Sequence, residues 1–186
     1  TMNCIQLFLA LALFCSSTIA FMKKFSQIYV DDFHISKCNP GNSEPITLEN
    51  VEIQVDEHNK VHVSGTLIAS EDLSEPIAAN VVIKRSTWIG WIPVVCVDNV
   101  GSCTFKDVCK FGYPKDEDCP ETFKDNKVPC RCPIKEGNYT LPPSLLDYMN
   151  EKSVLSGKYK GSVTLSHFND TLACYNMYFS LKDKLF

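Results

Sequence analysis

The sequence has few of the features that mark the commoner functional classes. It lacks basic runs: 18 Lys+Arg stand against 22 Asp+Glu, a formal charge of −4. Nucleic-acid binding rests on neutralising phosphates with clustered cations, so this balance argues against it. Glycine is sparse at 8 residues, and no Gly-rich phosphate loop, Gly-x-Ser-x-Gly elbow or Cys-x-x-Cys redox pair occurs. No internal repeat or low-complexity tract is evident. Beyond the amino-terminal segment, no stretch approaches the ~18 apolar residues of a membrane span, so the mature protein is expected to be soluble. With 186 residues, 45% hydrophobic and 22% charged, the chain suits one ordinary globular domain or two small ones.

Cysteine, by contrast, is abundant. Ten in a chain of this length point to an oxidising compartment. Residues 5–14 read IQLFLALALF and lead into CSSTIA, where Thr18 and Ala20 supply the small residues of a signal-peptidase site after Ala20. No Lys or Arg precedes the run, which is too short for a comfortable permanent anchor. Residues 1–20 are therefore expected to be a signal peptide and residues 21–186 a single domain. Cleavage removes Cys4 and Cys15 and leaves Cys38, Cys96, Cys103, Cys109, Cys119, Cys130, Cys132 and Cys174. Eight cysteines in a secreted chain read as four disulfides, with 105 possible connectivities. Two sequons, at Asn138 and Asn169, are compatible with glycosylation in the secretory pathway.

Outside the cysteine cluster the pattern is β. Val51, Ile53 and Val55 alternate with polar residues, as do Val61, Val63 and Leu67 after the turn-like Asp56-Glu57-His58-Asn59. Ile77, Ala79, Val81 and Ile83 continue the series. Tyr159, Val163 and Leu165 follow the same rule, and after Asn169-Asp170 so do Ala173, Tyr175, Met177, Phe179 and Leu181. Period-2 alternation marks antiparallel strands with one wet face. Weak helical spacing is confined to Ser144–Asn150. From Cys96 to about Pro143 the chain is rich in Cys and Pro and poor in apolar runs. This stretch reads as a crosslinked excursion that rims or caps the β scaffold.

No catalytic constellation assembles, so no enzyme is expected. The histidines are His34, His58, His62 and His167. His58 and His62 have metal-pair spacing on a helix, but a strand-like pattern begins at Lys60 and spoils that geometry. Cys130-Arg131-Cys132 reads as disulfide material rather than a zinc site, and no metal or cofactor is implied.

Residues 86–95, STWIGWIPVV, hold both tryptophans directly after Lys84-Arg85. Two readings are open: a buried strand or hairpin, or a turn with apolar residues at its tip. An exposed apolar tip would mark partner or membrane contact, with Trp at the headgroup level and the two cations near anionic lipid.

Several blocks resemble one family closely. They are Val100-Gly101-Ser102-Cys103-Thr104-Phe105, Cys119-Pro120-Glu121, and the continuous run from Pro129-Cys130-Arg131-Cys132-Pro133 through Gly137-Asn138-Tyr139-Thr140-Leu141-Pro142. With the spacing of the eight mature cysteines, they resemble the ganglioside GM2 activator family of sphingolipid activators, related to the ML lipid-recognition domains. The resemblance implies an all-β fold, an antiparallel β-cup around an apolar lipid cavity with a disulfide-stapled loop region. It implies the pairs Cys38–Cys174, Cys96–Cys103, Cys109–Cys132 and Cys119–Cys130. It also implies a lipid- and membrane-contact loop at Thr87, Trp88, Ile89, Gly90, Trp91 and Ile92, with Val154 and Leu155 in a second loop at the mouth. That second loop, Asp147–Ser156, is shorter here and lacks the family's tryptophan, as does the segment near Phe33 and Ile35.

The implied function is non-enzymatic. The protein would take a glycosphingolipid or other two-chain lipid from a membrane surface and present it to a hexosaminidase-type glycosidase. Lysosomal or extracellular localisation would follow. A secreted lipid carrier or lipid-recognition protein without a hydrolase partner is the alternative, and a toxin or allergen-like protein on the same cup is a third reading. Protonation of four histidines would add up to +4 and offset the formal −4, favouring membrane docking in acid.

Overall fold

A computed structural model describes residues 26–56, 61–145 and 156–185. Among these residues nine strands form two antiparallel sheets: β1 (Ser26–Lys37), β2 (Ile46–Val55), β3 (Val61–Ala69), β4 (Ala78–Thr87), β5 (Gly90–Pro93), β6 (Thr104–Phe105), β7 (Gly137–Leu145), β8 (Gly157–His167) and β9 (Asp170–Leu185). The larger sheet runs β1-β9-β8-β4-β5 with β6 also on β4; the smaller runs β2-β3-β7. Two short helical pieces among the described residues lie in the excursion, a 3-10 turn at Val108–Phe111 and the α-helix α1 (Glu121–Asp125). The fold is the antiparallel β-cup architecture that the alternation and the resemblance together imply.

The alternating residues fall where period 2 requires. Ala79, Val81 and Ile83 of β4 stand opposite Leu165, Val163 and Gly161 of β8. Those in turn face Ala173, Tyr175 and Met177 of β9. This face is the inner one, because the Tyr175 hydroxyl crosses the gap and accepts the Leu48 N–H of β2 at 2.7 Å. Ile46, Leu48, Leu67 and Ala69 answer from the smaller sheet.

Burial is uneven along the sandwich. Ile46, Ala69, Leu73, Ile77, Leu172, Ala173 and Tyr175 form one closed cluster. Toward the other end Tyr159 and Leu181 are buried too, but Val51, Ile53, Val63, Ile83, Met177 and Phe179 are only half-buried. The excursion is sewn to the closed end. Leu73 and Ile134 exchange backbone hydrogen bonds at 2.7 and 2.9 Å. Asp107 accepts from the Ile77 and Cys109 N–H groups. Asp72 takes the Lys135 ammonium and the Glu136 N–H.

Three elements differ from the sequence expectation. Residues 137–145 are strand β7, not excursion, although they contain Pro142 and Pro143. Edge strands tolerate proline because one side of the ladder needs no donor, and β7 is the edge of its sheet. Ser144 and Leu145 end that strand instead of starting a helix, and residues 146–150 lie outside the described residues. Gly90 and Pro93 bound the short strand β5, and the turn falls on Trp88-Ile89. Strand β1 had no alternation to announce it, because a bulge between Asp31 and Phe33 shifts its register, with Asp32 at φ 65°. Val30 before the bulge and Phe33 after it stand opposite Leu181 and Phe179, two residues apart on β9.

Two predictions follow from these contacts. Tyr175→Phe strands the Leu48 N–H between the sheets and should lower unfolding free energy by about 1–3 kcal/mol, measured by denaturant unfolding. The Lys135 hydrogen bond holds the Asp72 carboxyl below its ordinary value of 3.8. A depressed carboxylate stabilises the fold above its unfolded value, and the benefit is lost as pH falls through the lowered one. The unfolding-midpoint gap between wild type and Asp72→Asn should therefore be open at about pH 5 and close toward about pH 2.

Candidate functional site

The β4–β5 hairpin pairs Thr87 with Gly90 and Ser86 with Trp91. Two residues then make the turn, and Gly90 at φ 118° supplies a conformation that L side chains rarely adopt. The Thr87 hydroxyl donates to the Gly90 carbonyl at 2.7 Å and closes the turn. Trp88 and Ile89 stand at its tip, 96% and 66% exposed. Nothing in the fold requires large apolar groups there, and such exposure is the pattern of a contact surface.

Trp91 differs from Trp88. It lies on the outer face of the larger sheet with the Lys160 ammonium 4.5 Å from its ring, and is 37% exposed. Ile92 is opposite Arg85, so it shares the inner face. Val154 and Leu155 lie outside the described residues. Strand β5 continues into a tight loop, in which Val97 and Val100 exchange hydrogen bonds. There the Ser102 hydroxyl donates to the Ile83 carbonyl and accepts the Ile83 N–H, filling the gap between β5 and β6 on β4.

Behind the hairpin the inner faces offer apolar surface. A cleft of about 260 Å³ follows the smaller sheet, lined by Leu48, Val63, Leu67 and Leu141 with Val128 and Ile134 of the excursion. Small-molecule sites enclose roughly 300–1,000 Å³, so a two-chain lipid needs the half-buried inner face of the larger sheet as well. A larger cleft of about 520 Å³ includes Asn39, Asn42, Glu44, Thr164 and Thr171 and is too polar for acyl chains.

At the open end Tyr159 stacks on Phe179, with centroids 5.1 Å apart and planes within 9°. Burial pushes the Tyr159 hydroxyl up, while the nearby Arg85 charge acts in the opposite direction. Pattern reading missed Arg85 as an inward residue. Its signal was parity with Ile83, obscured by a neighbouring lysine that suggested a wet basic pair.

The structure joins Cys38 to Cys174, Cys96 to Cys103, Cys109 to Cys132 and Cys119 to Cys130. The first pair ties the end of β1 to β9, and the other three stiffen the excursion. Asn138 is exposed on edge strand β7, and Asn169 is exposed in the β8–β9 turn. The histidines are dispersed: His34 meets Asp32, His62 meets Asp56, and His167 meets the Pro76 carbonyl. His58 lies outside the described residues. Among the described residues no group of His, Cys, Asp and Glu could hold a metal ion, and no helix is long and apolar enough to cross a membrane.

These features define a disulfide-framed, two-sheet β protein whose apolar interior is packed at one end and largely half-buried toward the other. Residues 32–181 match the ML domain, and the chain belongs to that family, in its ganglioside GM2 activator group. The ganglioside GM2 activator of Macaca fascicularis is 33% identical over 176 residues, 91% of each chain. That of Mus musculus is 27% identical over 199 residues, covering 98% of this chain and all of its own. A Niemann-Pick type C2 protein from the Japanese carpenter ant aligns over 82% of this chain and 92% of its own, at 14% identity and a TM-score of 0.30. That superposition is too loose to bear on function. Family membership makes the chain a non-catalytic lipid-binding protein.

The two tryptophans should respond differently to truncation. Trp88→Ala should leave the unfolding free energy within about 0.5 kcal/mol of wild type, as for other exposed sites. Trp91→Ala removes the Lys160 contact and should cost about 0.5–1 kcal/mol or more. Denaturant titration of the two variants measures both.

Proposed function

We propose that the protein lifts a glycosphingolipid from a membrane and presents its headgroup to a lysosomal glycosidase of the hexosaminidase type. The observation that carries this reading is the Trp88-Ile89 tip exposed beside a half-buried apolar interior. Relatives named ganglioside GM2 activator across nearly the whole chain support it. Under the same proposal residues 1–20 are a cleaved signal peptide and residues 21–186 the mature domain. The four disulfides form in the secretory pathway, and Asn138 and Asn169 are glycosylation sites. The mature protein is lysosomal or extracellular.

The energetics explain the need for such a protein. A lipid with about thirty buried methylenes loses on the order of 25 kcal/mol on entering water, at ~0.8 per methylene. A protein that docks at the surface and offers an apolar interior exchanges one dry environment for another. A short sugar headgroup close to the bilayer then becomes reachable by a soluble hydrolase. Thr87 and Ile92 flank the docking tip, while Val154 and Leu155 are assigned to the mouth by the resemblance alone.

Two measurements test this. Purified protein should raise turnover of vesicle-bound glycolipid by a lysosomal hexosaminidase about tenfold or more; lipid transfer between vesicles without stimulation would favour the carrier alternative. Binding to anionic vesicles should be stronger at about pH 5 than at about pH 7.4, because acid reduces the net negative charge of the chain. The double change Trp88→Ala/Ile89→Ala should weaken it at both pH values. Equal binding at the two pH values would remove acid-driven docking from the proposal.

A further inference from the structure

Arg85 sits where the sheet's alternation should have an apolar residue. It is opposite Tyr159, which is opposite Phe179, all on the inner face. One step toward the closed end, the same face carries Ile83 and Met177. The guanidinium stays charged at any pH the fold tolerates. Among the described residues no carboxylate pairs with it; its Nη2 donates to the Ser156 carbonyl at 2.8 Å. Its Nε is buried and has no hydrogen-bond partner. An inward cation with an unmet donor is expensive to keep in an apolar setting unless a ligand meets it. The adjacent backbone makes room for the group: at Gly157, with φ at 148°, a Cβ would stand 3.1 Å from the Arg85 Nε.

We infer that Arg85 is an oxyanion-binding residue inside the open end of the cup, and that the bound lipid carries a phosphate or carboxylate oxyanion near its chains. This rests on the lipid-binding reading and adds a substrate class to it. Guanidinium donors fit the paired oxygens of such groups. Tyr159 and Phe179 flank the cation with aromatic surface, and the half-buried run of Ile83 and Met177 leads from it toward the closed end. An acidic lipid therefore satisfies both halves of the site at once, the oxyanion at Arg85 and the chains on the apolar face.

The test compares two lipids with identical chains, dioleoyl phosphatidic acid and dioleoylglycerol, offered together to the full protein and read by native mass spectrometry. Wild type should retain phosphatidic acid about tenfold or more over dioleoylglycerol, the yield of one charge-assisted contact. Arg85→Gln should retain both equally, and Arg85→Lys should keep part of the preference. Continued binding of dioleoylglycerol by Arg85→Gln shows that the variant is folded; if it does not fold, the wild-type ratio alone decides. An equal wild-type ratio, or a preference that survives Arg85→Gln, overturns the assignment while leaving lipid binding intact. Retention of neither lipid overturns the lipid-binding reading itself. Competition by inorganic phosphate separates the sources. Displacement of phosphatidic acid by millimolar phosphate would show a site for the free anion and overturn the lipid assignment, whereas undiminished retention supports a headgroup held together with its chains.

Discussion

The architecture depends on the two sheets meeting at one end. There the Tyr175 hydroxyl reaches across and accepts the Leu48 N–H, amid the closed cluster around Ile46, Ala69, Leu73 and Ala173. A polar link inside an apolar contact is directional, so it sets the distance between the sheets as well as adding to stability. With that end pinned, the inner faces farther out need not pack against each other. Their half-burial is the structural condition for accepting an apolar guest.

Crosslinking and hydrogen bonding support the same end. The Cys38–Cys174 bridge spans 136 residues, and closing so long a loop removes much of the unfolded chain's freedom. The excursion has no core of its own. It is anchored through Asp107, Asp72 and the Leu73–Ile134 exchange, so its residues Val128 and Ile134 can line the apolar cleft. The frame is thus rigid where the sheets close, and the exposed hairpin tip is carried on β4, a central strand of the larger sheet.

Legibility in the sequence varied with how regular the backbone is. Strands β3, β4, β8 and β9 were readable because their inner residues alternate without interruption over the stretches used. Strand β1 was not, since its bulge moves the inner set from even to odd positions. Strand β7 was hidden by Pro142 and Pro143, which are harmless only on an edge, and edge position is a property of the sheet. At Trp88-Ile89 the sequence left a buried hairpin and an exposed turn both open, and the opposite fates of the two tryptophans were not legible.

By itself the sequence determined the β class, the abundance and even count of its cysteines, the absence of a nucleic-acid-binding charge balance and, through the Cys130-Arg131-Cys132 block, the family. These depend on local pattern and composition, which need no partner in space. Tertiary structure alone decided which apolar residues are closed in and which remain half-open. It also decided that Trp91 lies over Lys160 while Trp88 projects, and that Arg85 turns inward. Each of these depends on which strand lies beside which and in what register, and a one-residue change of register reverses every facing.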